Sequence, residues 1–158
     1  MEITVTLNGK RLKAEIDPGE LLLDFVRRQG CYSVKRGCET SNCGLCTVWL
    51  DGTPVLSCST LAARADGREV TTLEGVEKEA AAFGRYLAGE GAEQCGFCSP
   101  GLIMNVLAME RELSRPTEEE IKEYLAGNLC RCTGYMGQLR AIERYLNERG
   151  GETDGENG

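Results

Sequence analysis

The sequence contains no histidine. Without an imidazole the chain cannot build a mixed cysteine–histidine zinc site, a Rieske centre, a His-ligated haem, a Ser-His-Asp triad or a Cys-His nucleophile pair. Long apolar runs are also missing. The longest, GLIMNVLAM from Gly101, is interrupted by Asn105 and falls far short of the ~20 residues that cross a bilayer. Nor is there an excess of positive charge: 18 Lys and Arg stand against 25 Asp and Glu, a net charge of −7. That balance argues against nucleic acid, whose phosphates need a basic footprint. The opening MEITVTLNGK places an acid second and then alternates apolar residues, unlike a signal peptide, so a cytoplasmic protein is expected.

What the sequence has instead is nine cysteines in 158 residues. In a reducing cytoplasm an odd number of cysteines fits a disulfide framework poorly. The composition, 41% hydrophobic and 27% charged, is that of a globular protein. The length suits one ordinary domain or two small ones, and small domains usually need a staple. Thiolate–metal chemistry is the reading that satisfies these constraints together.

The first half reads as β-β-α-β-β, an α+β plan. Ile3, Val5 and Leu7 alternate with polar neighbours, Asn8-Gly9 supplies a tight turn, and Leu12, Ala14 and Ile16 alternate on the return. After Asp17-Pro18-Gly19, Leu21, Leu22, Phe25 and Val26 repeat at helical spacing up to Gly30. Thr47 to Leu50 and Pro54 to Ser57 flank an Asp51-Gly52 turn, a second hairpin. From about Glu74 the signals become helical. One helix spans Val76 to Leu87; another has Ser99 as N-cap, Pro100 at its first position and Leu113 at its end. Thr117 and Glu120 form a capping box for Ile121 to Leu125, and Leu139, Ile142 and Leu146 mark a last helix. The chain therefore divides into residues 1–74, residues 75–149 and a Gly-rich, acidic tail, 150–158, expected to be disordered.

Eight cysteines fall into two sets. Cys38, Cys43 and Cys46 form a C-x4-C-x2-C run followed by Cys58, the plant-type 2Fe-2S spacing. Soft thiolates suit iron and sulfide, and four of them complete the coordination of two irons. Gly37 and Gly44 are expected to adopt positive-φ geometry that turns backbone N–H groups toward an anionic cluster. The second set, Cys95, Cys98, Cys130 and Cys132, pairs a C-x2-C before one helix with a C-x-C after another. Taken alone it suits structural zinc as well as iron–sulfur. Cys31 is left over and reads as a small buried hydrophobe. Gly89-Glu90-Gly91 begins like a dinucleotide-binding loop, but Gln94 occupies the next glycine position and no strand precedes it. Glu118, Glu119 and Glu120 suit a helix N-terminus. Tyr32, Trp49 and Phe97 are expected to pack around the cysteines. No nucleophile-and-base combination is present, so substrate chemistry within the chain is not expected.

Three segments carry a family resemblance: GCETSNCGLCTVWLDGTPVLSC from Gly37 to Cys58, QCGFCSPGLIM from Gln94 to Met104, and GNLCRCTGY from Gly127 to Tyr135. Through them the chain resembles the iron–sulfur subunits of the xanthine dehydrogenase family, the molybdenum hydroxylases. The resemblance implies a β-grasp ferredoxin-like domain followed by an all-α four-helix domain, each with a 2Fe-2S cluster. It implies a molybdopterin-binding large subunit and an FAD-binding medium subunit as partners. Electrons would leave molybdenum, pass the Cys95, Cys98, Cys130 and Cys132 cluster, then the Cys38 to Cys58 cluster, and reach FAD. It also implies that Gln94 and the Cys132 sulfur touch the pterin, with a purine as the default substrate. Ser41 stands where many members have glycine, and Tyr135 to Gln138 departs from the commonest continuation. Since the chain stops before any flavin or molybdenum domain, it resembles the split-subunit members. The readings to be weighed against this one are a free two-cluster carrier and a structural zinc protein.

Overall fold

The computed structural model describes the backbone of residues 1–153 and the side chains of residues 1–149. Strands β1 (Glu2–Leu7) and β2 (Lys10–Glu15) form the first hairpin, and β3 (Thr47–Leu50) and β4 (Thr53–Leu56) the second. Both turns use two left-handed residues, Asn8 and Gly9 at φ 49° and 77°, Asp51 and Gly52 at 49° and 80°. This twist matches the flanking strands, which explains why Asn-Gly and Asp-Gly mark tight hairpins. A fifth strand, β5 (Glu69–Thr71), joins them in a mixed sheet of order β2-β1-β5-β3-β4. It runs parallel to β1 and antiparallel to β3. The sequence plan lacks β5 because three residues with one buried side chain, Val70, show no readable alternation. Yet this strand is the centre of the sheet.

Helix α1 (Leu22–Arg28) lays Leu22, Leu23, Phe25 and Val26 on the sheet residues Ile3, Val5, Leu7, Val48 and Val70, forming one core. Cys31 is buried in the same core, as its reading as a small hydrophobe requires.

Beyond Val76 lie α2 (Glu77–Gly89), α3 (Ser99–Glu112), α4 (Glu118–Tyr124) and α5 (Met136–Thr153), making five α-helices among the described residues. Ile103, Val106, Leu107, Phe83, Leu87, Ile142 and Tyr145 build a second core, with the Phe83 and Tyr145 rings edge to face at 5.1 Å. The capping box is present: the Thr117 hydroxyl accepts from the Glu120 N–H, and the Glu120 carboxylate accepts from the Thr117 N–H. Ser99 is not the N-cap of α3. Cys98 holds that position, and Ser99 is already helical and buried. Helix α5 continues to Thr153, past the point where the tail was expected to begin; residues 154–158, and the expectation of disorder there, lie outside the described residues.

Trp49 crosses the division. It sits on β3 but packs into the helical core, and its indole N–H donates to the Met104 carbonyl at 3.0 Å.

Candidate metal centres

The loop between α1 and β3 carries Cys38, Cys43 and Cys46, and Cys58 follows β4 directly. The fold brings this set together. Cys46 and Cys43 are buried, while Cys38 and Cys58 reach the surface. Cys38 contacts Cys43, and Cys46 contacts Cys58. The Cys38 thiol is held down to about 6 by N–H groups of Asn42 and Thr40, its contact with Cys43, and the Cys43 N–H. Burial pushes its partner Cys43 up, and pushes Cys46 up to about 11. An anion in this loop thus meets backbone donors already aimed at it, the cradle that negatively charged sulfur needs.

The two glycines act differently from each other. Gly44 has φ 76°, as expected. Gly37 is not left-handed; it is small because a Cβ there would lie 2.6 Å from Leu45 Cδ2 and 3.2 Å from Cys43 Sγ.

The second set assembles from the turn before α3 and the loop between α4 and α5. Cys95 and Cys132 are exposed, with their sulfurs 3.5 Å apart, and Cys98 contacts Cys130. Burial and the neighbouring Cys130 push Cys98 up to about 11. Burial also opposes ionisation of Cys130, but the Thr133 hydroxyl, 3.1 Å from its sulfur, and the N–H groups of Thr133 and Cys132 outweigh it and lower its pKa. The Phe97 N–H and Cys132 lower Cys95, whereas contact with Cys95 raises Cys132. Gln138, buried on α5, donates toward Cys98 Sγ at 3.7 Å. Sequence alone gives Thr133 no role, its place directly after C-R-C being the available signal, and marks Gln138 only as the end of a segment that departs from the family's commonest continuation.

All nine cysteines are free thiols. Among the described residues no three Cys, Asp or Glu side chains gather closely enough to hold one metal ion. The sulfurs meet two by two instead: Cys38 with Cys43, Cys46 with Cys58, Cys95 with Cys132, Cys98 with Cys130. A two-iron centre with four thiolates takes two sulfurs at each iron, so this donor set fits it better than a single tetrahedral ion.

The two sets share a wall. Cys43 of the first and Cys98 and Cys130 of the second line one narrow gap with Leu45, Leu102 and Leu129. The Cys43 carbonyl accepts a hydrogen bond from the Leu129 N–H at 2.9 Å. Backbone packs on backbone here. A Cβ on Gly101 of α3 would lie 2.3 Å from the Gly44 carbonyl oxygen, and a Cβ on Gly44 would lie 2.4 Å from that of Gly127. Asn105 closes the junction, donating to Asn128 at 2.7 Å and toward Thr47 at 3.4 Å.

Trp49 and Tyr32 do not surround the sulfurs as expected, whereas Phe97 lies between Cys95 and Cys98 with its N–H directed at Cys95. Trp49 is committed to the helical core, and Tyr32 is exposed, with the Arg27 guanidinium 5.7 Å from its ring centre. Phe97 is half exposed, with Lys35 Nζ 4.8 Å from its ring centre. Gln94 is exposed beside Cys95, and Leu129, Tyr135 and Met136 are exposed large apolar residues around the second set. Glu90 follows α2 and receives Arg140 and Arg144 of α5, a structural role for the Gly89-Glu90-Gly91 segment. No helix among the described residues is long and apolar enough to cross a membrane.

Two family models match: a 2Fe-2S iron–sulfur cluster binding domain over residues 5–88 and a [2Fe-2S] binding domain over residues 72–143. The chain is 48% identical over 141 residues to a xanthine dehydrogenase iron–sulfur-binding subunit from Escherichia coli, covering 85% of this chain and 87% of that one. It is 41% identical over 150 residues to the nicotinate dehydrogenase small FeS subunit of Eubacterium barkeri, covering 93% and 95%. Among solved structures it superposes on quinoline 2-oxidoreductase from Pseudomonas putida with a TM-score of 0.87, at 36% identity over 96% of both chains. These matches span both cysteine sets and both cores, and the chain belongs to the 2Fe-2S iron–sulfur subunits of the xanthine dehydrogenase, or molybdenum hydroxylase, family.

Proposed function

We propose that Cys38, Cys43, Cys46 and Cys58 hold one 2Fe-2S cluster and Cys95, Cys98, Cys130 and Cys132 the other, and that the chain carries electrons from one to the other. The single observation behind this reading is the pairwise meeting of the eight sulfurs in two sets. Each cluster supplies one-electron chemistry; the protein supplies distance, donors and exposure. Residues 1–74 form a β-grasp ferredoxin-like domain and residues 75–149 a four-helix domain, a division supported by the two separate cores.

The two ends differ in a way that suits two partners. The Cys95 and Cys132 end is open and ringed by Phe97, Leu129, Tyr135 and Met136, an apolar rim of the kind that packs against another subunit. This end faces a molybdopterin-binding large subunit, with Gln94 and the Cys132 sulfur toward the pterin. The Cys38 and Cys58 end faces an FAD-binding medium subunit. Cys98, Cys130 and Cys43 lie between, which makes the route linear. Relatives whose names specify xanthine and nicotinate share this chain's plan, so substrate choice resides in the large subunit.

Anaerobic purification with iron and sulfide analysis, followed by EPR of the dithionite-reduced protein, tests this. About four irons and two distinct 2Fe-2S signals are expected, with two larger subunits co-purifying. A colourless zinc protein would sink the assignment, and a cluster-loaded monomer would support a free carrier instead.

A further inference from the structure

Ser41 is an exposed serine in the first cysteine loop with φ 54°, the left-handed region that a residue bearing a Cβ enters at a cost. Glycine, or asparagine and aspartate among the others, is the ordinary occupant of such a position. Serine's backbone preference therefore does not explain its presence, but its side chain does: Ser41 Oγ lies 3.5 Å from Cys58 Sγ. A ligating sulfur is a thiolate and has no proton to give, so the hydroxyl is the donor. Cys58 is one of the two partly exposed sulfurs of its set.

We infer that Ser41 is a positioning residue that raises the reduction potential of the Cys38 to Cys58 cluster through this hydrogen bond. The inference rests on the ligand assignment proposed above. Adding one electron increases the negative charge shared by the irons and their thiolates. A donor on a thiolate stabilises the more negative form more, so it favours the reduced state. The second set has its own hydroxyl, Thr133 on Cys130, and is untouched by residue 41. Ser41 thus adjusts one centre independently of the other and controls the size of the downhill step between them.

The test is an EPR-monitored redox titration of the anaerobically purified complex carrying S41G, S41A or S41T. In S41G and S41A the midpoint of one 2Fe-2S signal should fall. At a fixed potential its reduced-to-oxidised ratio should drop about threefold to tenfold, as expected for one partly exposed hydrogen bond to a charged group, tenfold corresponding to 59 mV for a one-electron couple. The other signal should not move; S41T, which keeps the hydroxyl, should titrate like the parent although β-branching at this φ lowers its melting temperature; and S41G should melt no lower than the parent because glycine adopts this φ freely. Midpoints of S41G and S41A that coincide with the parent, or both signals moving together, would overturn the inference while leaving the clusters in place. A parent complex without two 2Fe-2S signals would overturn the ligand assignment itself, and iron content tells these failures apart.

Discussion

The indole N–H of Trp49, on a strand of the sheet, donates to the main-chain carbonyl of Met104 in the middle of α3 at 3.0 Å. Arg111 lies over the same ring, its guanidinium carbon 3.7 Å from the centroid, and donates to the Gly52 carbonyl at 2.9 Å. One side chain of the first core's sheet thereby completes the second core.

Trp49→Phe keeps an aromatic ring but removes the N–H that ties this strand to α3, while the Met104 carbonyl, in mid-helix, keeps its intrahelical partner. A loss of about 0.5–1.5 kcal/mol is expected, read as a lower urea midpoint by circular dichroism. An unchanged midpoint would mean that other contacts carry the docking of the two cores.

Gly101→Ala puts a methyl group against backbone that has no rotamer to change, and overpacking of this kind costs about 1–3 kcal/mol. The variant should melt lower and lose iron on gel filtration. Gly84→Ala serves as its control. No atom lies within 4 Å of a Cβ at Gly84, in the interior of α2, so alanine should stabilise by roughly 0.5–1 kcal/mol there. If both variants behave alike, the contact of Gly101 with Gly44 is not what the glycine is for.

Cys43→Ser should remove one EPR signal and spare the other, with iron content falling by half. The backbone carbonyl of Cys43 that receives Leu129 is retained, so the second set keeps its support. Simultaneous loss of both signals would show that the two centres assemble as one unit.

Acid should loosen the end of the first half, where Glu74 is tied back to the loop at Ser33. Burial opposes ionisation of Glu74, but hydrogen bonds from Ser33 and Thr72 outweigh it and lower its pKa below the usual 4.5. A carboxylate with a depressed folded pKa contributes stability that is present above the unfolded value. That contribution is lost as pH falls through the folded one. The melting-temperature difference between the parent and Glu74→Gln should therefore be full at pH 6–7 and shrink below about 4.5. A difference that stays constant down to pH 3 would remove Glu74 from the account.

Much of this was legible in the sequence. Asn8-Gly9 and Asp51-Gly52 announced their hairpins because few residues tolerate two successive left-handed positions. The Thr117 capping box was readable for a comparable reason: both partners are local. The cysteine sets were readable as sets, because their spacing reflects loop geometry. What could not be read depended on partners distant in the chain. β5 is a strand only because β1 and β3 flank it, and Trp49 looks like a neighbour of Cys46 until α3 arrives to take its N–H. Gly37 signalled a conformational need that proved to be a spatial one, since its crowding comes from Leu45 and Cys43 rather than from its own φ.

Gly44, held between Gly101 and Gly127, has a consequence for how the protein can vary. Electron tunnelling decays exponentially with separation, so a spacing set by side chains would change rate whenever a core residue was exchanged. Here the spacing is set by peptide groups in van der Waals contact and by the bond from Leu129 to Cys43. The surfaces can then diverge to suit different partners while the gap between the two centres stays constant.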